Sequence, residues 1–380
     1  MVLFSFLPVY SASSNLAYLY GDGGVTKYLI KHAMHLFLGF VIIYGVHKIP
    51  FHYFKGLSIL MLPVVVILLL FTLAKGTTIG GANASRWIRI PFIGVSFQTS
   101  TLAAVVLMVY VARYLAKIKE KTITFKSTVL PLWLPVFAVL ILILPANFST
   151  TAIIFTMVLM LCFLGGYPIK YLVGILGVGA IALTLFVLTA KAFPDAFPDR
   201  VDTWVSRIES FFADDKDENF ADQNYQTERA KTAIASGFPL GLGPGKSKQR
   251  NFIPQASSDF IYAIIVEETG LLGGLGLILG YLLLLFRMMV VSNKSQDIFG
   301  KLLVVGVGIP IIFQAFINMA VAVELFPVTG QTLPLISSGG TSIWMTCLAL
   351  GIILSVSANR KVVKKTKGEE NPLDVLSQTV

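Results

Sequence analysis

Long apolar runs, separated by short polar segments, follow one another along almost the whole chain. A run of about 20 residues, wound as an α-helix that rises about 1.5 Å per residue, crosses the hydrocarbon core of a bilayer. Ten such runs are present, at roughly residues 2–19, 32–47, 57–75, 98–116, 128–145, 149–166, 169–190, 259–288, 302–326 and 335–357. The pattern predicts an all-α polytopic membrane protein with about ten transmembrane helices.

The composition excludes an ordinary soluble enzyme. Hydrophobic residues make up 55% of the chain and charged residues only 13%, whereas soluble domains carry about 25% charged residues. The two cysteines, Cys162 and Cys347, lie inside apolar runs. They therefore offer neither a disulfide framework nor the spacing of metal ligands.

The basic residues indicate the orientation of the chain. There are 30 Lys and Arg against 20 Asp and Glu, a net charge of +10, which in a soluble protein would suggest nucleic-acid binding. With the N-terminus inside, 16 basic residues fall on cytoplasmic segments and five on short outer loops, in agreement with the positive-inside rule. The other nine lie in residues 191–258, a segment too long for the rule to apply. We therefore expect both termini in the cytoplasm and no nucleic-acid partner.

One long polar segment interrupts the series of spans. Residues 191–258 form a large extracytoplasmic loop between helices 7 and 8, acidic in its first half and rich in Gly and basic residues over 241–250. The sequence predicts a single polytopic domain over residues 1–358, which includes this loop. The polar residues 359–380 are predicted to form a disordered cytoplasmic tail.

Carboxylates are rare in the apolar part of the chain. Those within or at the ends of predicted spans are Asp259, Glu267, Glu268 and Glu324. A carboxylate inside a membrane costs a few kcal/mol and is functional by default. Asp259 opens the eighth span, and two interpretations apply. In the first it is a first-turn acid that complements the helix dipole, with Ser257 or Ser258 as N-cap. In the second it is a functional carboxylate, and the two are compatible because a helix N-terminus keeps a carboxylate ionised and basic.

Glu267 and Glu268 lie eight and nine residues after Asp259, about 12–13 Å deeper along the same helix. At that depth a pair of carboxylates must be paired, protonated or hydrated. A structural partner such as an arginine is favoured over catalysis. Glu324, just before Phe326, has the same interpretation.

The Gly-rich part of the loop has a superficial similarity to a phosphate-binding loop at Gly245-Lys246-Ser247. The P-loop pattern requires glycine at position 240, which is Leu240, and the segment is predicted to face outward, so we exclude an ATPase. Flexible backbone amides beside Lys246 and Lys248 fit either a phosphate-bearing ligand or a solvated loop.

Two further segments place unusual residues next to apolar spans. Residues 80–90 put Arg86, Trp87 and Arg89 at the outer interface, where such side chains usually anchor a protein. Residues 327–342 are polar and rich in Gly and Pro. Because irregular backbone at membrane depth is tolerated only against protein or a water-filled cavity, we expect the ninth and tenth spans to meet at a cavity open to the outside.

A set of short motifs occurs in a characteristic order and spacing. They are Tyr10-Ser-Ala-Ser-Ser14, Gly81-Ala-Asn-Ala-Ser-Arg-Trp87 with Gln98, Gly241-Leu-Gly243, Phe252-Ile-Pro254, Ser258-Asp-Phe-Ile261, Glu267-Glu-Thr-Gly270 and Pro334-Leu-Ile-Ser-Ser-Gly-Gly-Thr-Ser342. Together they resemble the SEDS family of cell-wall polymerases (FtsW, RodA and SpoVE) over nearly the whole chain except the tail. Residues 328–335 are more similar to the FtsW-type division members than to the RodA-type elongation members.

The resemblance implies a peptidoglycan glycosyltransferase that polymerises lipid II at the outer face of the bacterial cytoplasmic (inner) membrane, at the division septum. An elongation polymerase is the alternative within the family. The resemblance also implies that Asp259 is the essential carboxylate, although Ser257-Ser258 precede it here where many members have His-Thr. We interpret Asp259 as the base of an inverting transfer. No cofactor is required, and a divalent cation, Mg²⁺ or Mn²⁺, is a candidate aid.

Substrate binding requires positive charge for the departing pyrophosphate and polar lining for the cavity. The candidate residues are Arg86, Trp87, Gln98, Arg200, Arg207, Lys246, Lys248, Ser337, Gly339, Gly340 and Thr341.

Besides lipid II, the resemblance implies two kinds of protein partner: a class B penicillin-binding protein transpeptidase and other division proteins. The leading rival function is transport, for instance by a flippase of lipid-linked precursors, because ten spans, a polar cavity and membrane carboxylates fit it equally well. The unusual residues cluster on one face, which favours the enzyme, since alternating access needs a site near the midplane.

Overall fold

The computed structural model describes residues 1–20, 24–76, 86–89, 96–119, 122–192, 201, 221–253 and 256–368. Its helices are α1 (Val2–Tyr20), α2 (Gly24–His47), α3 (Tyr53–Lys75), α4 (Thr99–Ile118), α5 (Phe125–Ile143), α6 (Phe148–Leu164), α7 (Ile169–Ala192), α8 (Ala221–Gly237), α9 (Ile261–Lys294), α10 (Ile298–Ala322) and α11 (Gly340–Gly368). Two strands, β1 (Trp87–Arg89) and β2 (Ser96–Gln98), lie between α3 and α4.

Each of the ten predicted spans has a helix in the structure. In the described part of the chain, eight helices are long and apolar enough to cross a membrane, and Val2–Ser14 and Phe148–Leu164 are shorter apolar helices. The predicted all-α polytopic fold is confirmed. The tenth helix begins at Gly340 rather than 335 and continues to Gly368, past the predicted domain boundary at 358. The rest of the predicted tail, 369–380, lies outside the described residues.

The sequence analysis did not predict two of the elements. β1 and β2 pair antiparallel with Trp87 opposite Gln98, so two candidate site residues lie side by side. α8 forms within the predicted outer loop, where it buries Ala230 and Ala233. Both elements lack the long apolar run by which the ten spans are recognised, because β1 and β2 have three residues each and α8 is mostly polar.

α4 and α10 form the centre of the bundle, since 67% of the residues in an 18-residue apolar stretch of each are buried. Gly306 of α10 permits close packing: a Cβ there would lie 3.0 Å from Leu161 Cδ2 and 3.3 Å from the Met108 carbonyl oxygen. α7, in contrast, is only 6% buried. Its apolar side chains therefore face outward, where lipid would cover them.

α9 is not a straight helix. Its 34 residues would extend about 51 Å, whereas α10 rises about 30 Å from Ile298 to Asn318. The two helices are joined by residues 295–297 at one end, and Asn318 contacts Asp259 at the other, so α9 must bend. It bends at Gly270 (φ 68°, ψ −162°). Residues 261–269 therefore form a half-helix that turns back from the line of residues 271–294.

The outer loop fills the break at Gly270. Leu242 and Gly243 donate amide hydrogen bonds to the carbonyls of Glu267 and Glu268, each at 2.9 Å, and Leu271 N–H donates to Pro239 O at 2.9 Å. A broken membrane helix needs such partners for its freed backbone groups. The outer loop and the half-helix are therefore one packed unit.

Candidate active site

Asp259 lies two residues before α9, at the end of the half-helix. Its main-chain carbonyl accepts a hydrogen bond from Asn318 Nδ2 at 2.7 Å, and the same amide donates to Gln331 O at 2.7 Å. Asn318 is 1% exposed within α10, so its side chain is fixed. The Asp259 backbone is thus tied to the central helix and to the polar segment 327–342.

The two serines before Asp259 do not cap the helix. The N-cap of α9 is Phe260, without a side-chain capping bond, and its first turn has no acid. The first-turn interpretation of Asp259 is therefore wrong. The Ser258 carbonyl instead accepts from Ser337 Oγ at 2.6 Å, and the Ser257 carbonyl accepts from Ser338 N at 3.1 Å.

The carboxylate of Asp259 is partly buried and faces Gly330. A Cβ at position 330 would lie 3.6 Å from Asp259 Oδ2, and Gly330 has φ +68°. Glycine is favoured there because L-residues with a side chain rarely adopt this conformation. The turn at Gly330 therefore leaves space beside the carboxylate.

A small cavity lies next to this segment, between α4, α6, α10 and α11. Its volume is about 70 Å³, and its lining combines apolar side chains with polar ones that include Thr150, Gln314, Gln331, Ser342 and Thr346. The opening of this cavity to the outside stays a prediction. Gln331 Nε2 donates to Thr150 Oγ1 at 3.1 Å, and Gln314 Nε2 donates to Thr332 O at 3.1 Å. Gln314 and Gln331 are thus each held by a polar neighbour from another part of the bundle.

Four of the predicted lining residues lie in the same polar segment. Ser337, besides its bond to Ser258, accepts from Leu333 N at 2.7 Å. Gly339 and Gly340 lead into α11, and Thr341 Oγ1 donates to Ser96 O at 3.1 Å and accepts from Gln98 N at 3.4 Å. The structure therefore connects Gln98 to the segment that holds Asp259.

Arg86 lies just before β1 and points into the bundle. Its Nε donates to the Ala146 carbonyl at 2.9 Å, and it lines a small cavity with Thr72, Thr99 and Asn147. Arg89 is exposed. A simple membrane anchor would not require this inward contact, and the two arginines thus differ in environment. The candidates Arg200 and Arg207 lie outside the described residues.

Glu267 and Glu268 are 0% and 2% exposed, and their partners are mainly backbone amides. Glu267 accepts from the amides of Lys248 (2.9 Å) and Gln249 (3.3 Å) and from the Ser247 hydroxyl. Glu268 accepts from Ser247 N at 3.3 Å and from the hydroxyl of Ser11 in α1. We call this arrangement the carboxylate clasp.

The carboxylate clasp corrects two expectations. From the bend at Gly270 the half-helix runs back along α10 to Asp259, which contacts Asn318. Glu267 and Glu268 lie next to the bend, so they do not lie about 12–13 Å deeper than Asp259.

The amides of the Gly-rich part of the loop were expected to face either a phosphate-bearing ligand or solvent, and those of Ser247, Lys248 and Gln249 are instead bound by the protein's own carboxylates. The side chains of Lys246 and Lys248 remain exposed, so they stay candidates. Arg250, which donates to Ser11 Oγ at 2.7 Å, is the arginine of this network.

Glu324 has the structural role that the sequence favoured. It forms an ion pair with Lys231 of α8 and has a positive φ of 61°. The pair fastens the outer-loop helix to the end of α10.

An apolar groove of about 970 Å³ lies between α5, α6 and α7. It is lined by side chains such as Phe137, Ile141, Phe155 and Leu183, with Lys170 at its border. Its size and apolar lining fit a long hydrocarbon chain.

Sequence reasoning missed Asn318 and Gln331. Asn318 is an amide inside an apolar span, and buried polar groups must be hydrogen-bonded. That signal was available, because few polar residues interrupt the ninth run. The contacts of Gln331 depend on the path of the irregular segment, which the sequence pattern does not show.

These features define a polytopic membrane protein with a carboxylate site at one end of its helical bundle. The sequence profile of the cell cycle protein family FTSW_RODA_SPOVE matches residues 1–362. The chain belongs to this family.

Named relatives agree with the family profile. The chain is 30% identical over 346 residues to the probable peptidoglycan glycosyltransferase FtsW of Nitrosococcus halophilus, covering 90% of this chain and 86% of the relative. It is 31% identical to the protein of the same name from Geobacter sp. strain M18, covering 95% of both chains.

Its fold is similar to that of a chain in a structure described as "Structural coordination of polymerization and crosslinking by a peptidoglycan synthase complex". The TM-score is 0.70 with 24% identity, over 94% of this chain and 97% of that chain.

Proposed function

We propose that this protein is a peptidoglycan glycosyltransferase of the FtsW type, which polymerises lipid II at the outer face of the bacterial cytoplasmic membrane during division. The observation that carries the proposal is the position of Asp259. Its carboxylate lies beside an open glycine turn, on a backbone fixed by Asn318 and Ser337. The names of the relatives support the reaction and favour the division type over the elongation type.

In the proposed reaction Asp259 accepts the proton of the C4 hydroxyl of the acceptor sugar. The oxygen attacks the anomeric carbon of the donor, and the bond to the lipid pyrophosphate breaks. Single displacement inverts the configuration. Lys246 and Lys248, and the candidates Arg200 and Arg207, would stabilise the leaving pyrophosphate. The groove between α5, α6 and α7 would hold a lipid chain.

A divalent cation would aid pyrophosphate departure, with Asp259 and the substrate's own phosphates as its ligands, since the described residues contain no group of three or more potential metal ligands. Mg²⁺ commonly binds one or two carboxylates together with substrate phosphates, and Asp259 is the carboxylate at the site. When bound, such an ion would neutralise charge on the leaving group.

A class B penicillin-binding protein transpeptidase is the proposed partner, at the division septum. A chain of similar fold occurs in a complex described as coordinating polymerization and crosslinking, which supports this pairing. The outer-loop residues 237–253 pack against the half-helix that begins after Asp259. A partner that contacts the loop would therefore act on the site.

Transport of a lipid-linked precursor is the rival. Alternating access needs a site near the midplane that both sides of the membrane can reach, whereas Asp259 lies at the end of the half-helix and its backbone is tied to the polar segment 327–342. This position favours the enzyme.

Purified protein, supplied with labelled lipid II and the transpeptidase, should produce glycan strands. Movement of lipid II across proteoliposome membranes without any polymer would instead favour the transporter.

A further inference from the structure

Arg229 of α8 lies within cation–π distance of two aromatic rings. Its guanidinium carbon is 4.9 Å from the centre of the Tyr225 ring and 5.0 Å from that of Phe252. Tyr225 precedes it by one helical turn, and Phe252 follows the short helix Gln249–Asn251. A guanidinium stacked on aromatic faces keeps the N–H groups at its edge available for a planar ligand.

The fork of Arg229 has no hydrogen bond or ion pair with any described residue. Lys231 uses its charge on Glu324, and Arg250 donates to Ser11 and to the Gly245 carbonyl. Arg229 therefore differs from Lys231 and Arg250, because its guanidinium contacts aromatic rings but forms no hydrogen bond or ion pair with a described residue.

Among the residues that the structure describes near Arg229, exposed basic side chains outnumber acidic ones. Lys246 and Lys248 are exposed on the adjacent Gly-rich segment, while Glu267 and Glu268 are occupied in the carboxylate clasp. Glu228, the neighbouring acid in α8, is exposed and forms no ion pair with a described residue. An anionic ligand would neutralise this surface.

Two connections lead from the surroundings of Arg229 toward Asp259. Phe252, one of the rings beside its guanidinium, precedes Asp259 by seven residues in the chain. α8 also forms an ion pair with Glu324, six residues after Asn318, which holds the Asp259 backbone. Arg229 and Asp259 therefore lie on connected parts of the fold.

We propose that Arg229 binds a phosphate-bearing ligand through its free fork, and that this ligand is the pyrophosphate of the lipid-linked donor. The assignment rests on the proposed function. Arginine forms paired N–H···O bonds with phosphate oxygens, whereas lysine acts only as a point charge. The two rings restrict the guanidinium before the ligand arrives, so less entropy is lost on binding. Anionic lipid headgroups carry the same phosphate chemistry and are the alternative source.

The first test is a titration of lipid II with the full-length protein in phosphatidylcholine nanodiscs. Arg229→Lys should lower kcat/KM about tenfold, chiefly by raising KM, because the donor already carries a charged pyrophosphate before the bond breaks. Phe252→Leu should give a smaller rise in KM. Arg287→Lys, exposed near the other end of α9, is the matched control. An unchanged KM for Arg229→Lys would overturn the assignment.

The second test measures binding without turnover, in an Asp259→Asn background, with undecaprenyl pyrophosphate as the probe. Arg229→Gln should weaken binding in phosphatidylcholine nanodiscs, with an unchanged unfolding temperature. Equal binding would refute the site. If Arg229→Gln changes only the response to added phosphatidylglycerol, the ligand is a lipid headgroup and the substrate assignment is wrong. If Arg229-dependent binding persists but wild-type protein never polymerises lipid II, the site stands and the proposed function fails.

Discussion

Asn318 holds the backbone of Asp259 through a 2.7 Å hydrogen bond from its side-chain amide to the Asp259 carbonyl. The second N–H of the same amide binds the Gln331 carbonyl. One buried side chain in the central helix thus fixes both the acid and the polar segment that faces it. Such preorganisation matters because a base must lie within hydrogen-bond reach of the proton that it accepts.

Gly270→Ala should strongly destabilise the protein. Gly270 has φ +68°, and a Cβ there would lie 2.4 Å from the Pro239 carbonyl oxygen. Backbone strain of this kind alone costs about 1–3 kcal/mol, and the loop must also move away. Thermal unfolding in detergent measures the loss.

Gly276→Ala is the matched control for this change. Gly276 lies in the same helix, and a Cβ there meets nothing within 4 Å. Alanine is favoured over glycine in a helix by about 1 kcal/mol, so this variant should unfold at the wild-type temperature or above. Similar unfolding temperatures for the two variants would show that the break at Gly270 is not a fixed feature.

Glu267→Gln should loosen the outer loop. The carboxylate accepts from Ser247 Oγ and from the amides of Lys248 and Gln249, and the glutamine amide would present an NH₂ group to some of these donors. A buried donor left without a partner costs about 1–3 kcal/mol. We expect lower thermal stability and faster trypsin cleavage after Lys246 or Lys248.

Glu228→Gln, on the exposed side of α8, serves as the control, with an expected change within about 0.5 kcal/mol. If both variants resist trypsin like the wild type, the carboxylate clasp does not hold the loop.

Arg86→Lys should reduce polymerisation, whereas Arg89→Lys should not. Arg86 Nε donates to Ala146, and a lysine cannot keep this bond while also presenting a planar fork. Arg89 is exposed, so charge alone should be enough there. Initial rates of glycan synthesis by the two variants test this difference. Equal rates would indicate that Arg86, like Arg89, is only a membrane anchor.

The transpeptidase partner should accelerate polymerisation. Residues 237–253 of the outer loop are joined to the half-helix after Asp259, so a protein bound to the loop can alter the position of the acid. We expect weak activity alone and higher initial rates in the complex, measured at saturating lipid II. An isolated protein that is already as fast as the complex would limit the partner's role to spatial coupling.

The spans could be predicted because a bilayer imposes a minimum apolar length on each of them, and that length is visible in the sequence. α8 was missed because its stability comes from tertiary packing of Ala230 and Ala233, and a short polar helix has no such signature. Gly270 lies within an apolar run, where glycine is common in membrane helices, so its positive φ could not be recognised.

The site was predictable in its residue types but not in its contacts. Asp259, Ser337 and Thr341 were selected as unusual polar residues near apolar spans, and the structure connects them through one segment. Besides the Ser247 hydroxyl, the partners of Glu267 are the backbone amides of Lys248 and Gln249. Every residue except proline carries such an amide, so no residue pattern could identify them or decide between a phosphate-bearing ligand and a solvated loop.

The most direct test of the account is the yield of glycan from labelled lipid II by Asp259→Asn in complex with the transpeptidase. Asparagine is nearly isosteric, and the bond from Asn318 goes to the main chain, so the unfolding temperature should stay at the wild-type value. A general base contributes about 100-fold or more to the rate, and the account predicts a loss of polymer of at least that size. A folded Asp259→Asn protein that makes polymer at the wild-type rate would contradict the assignment of Asp259 as the base.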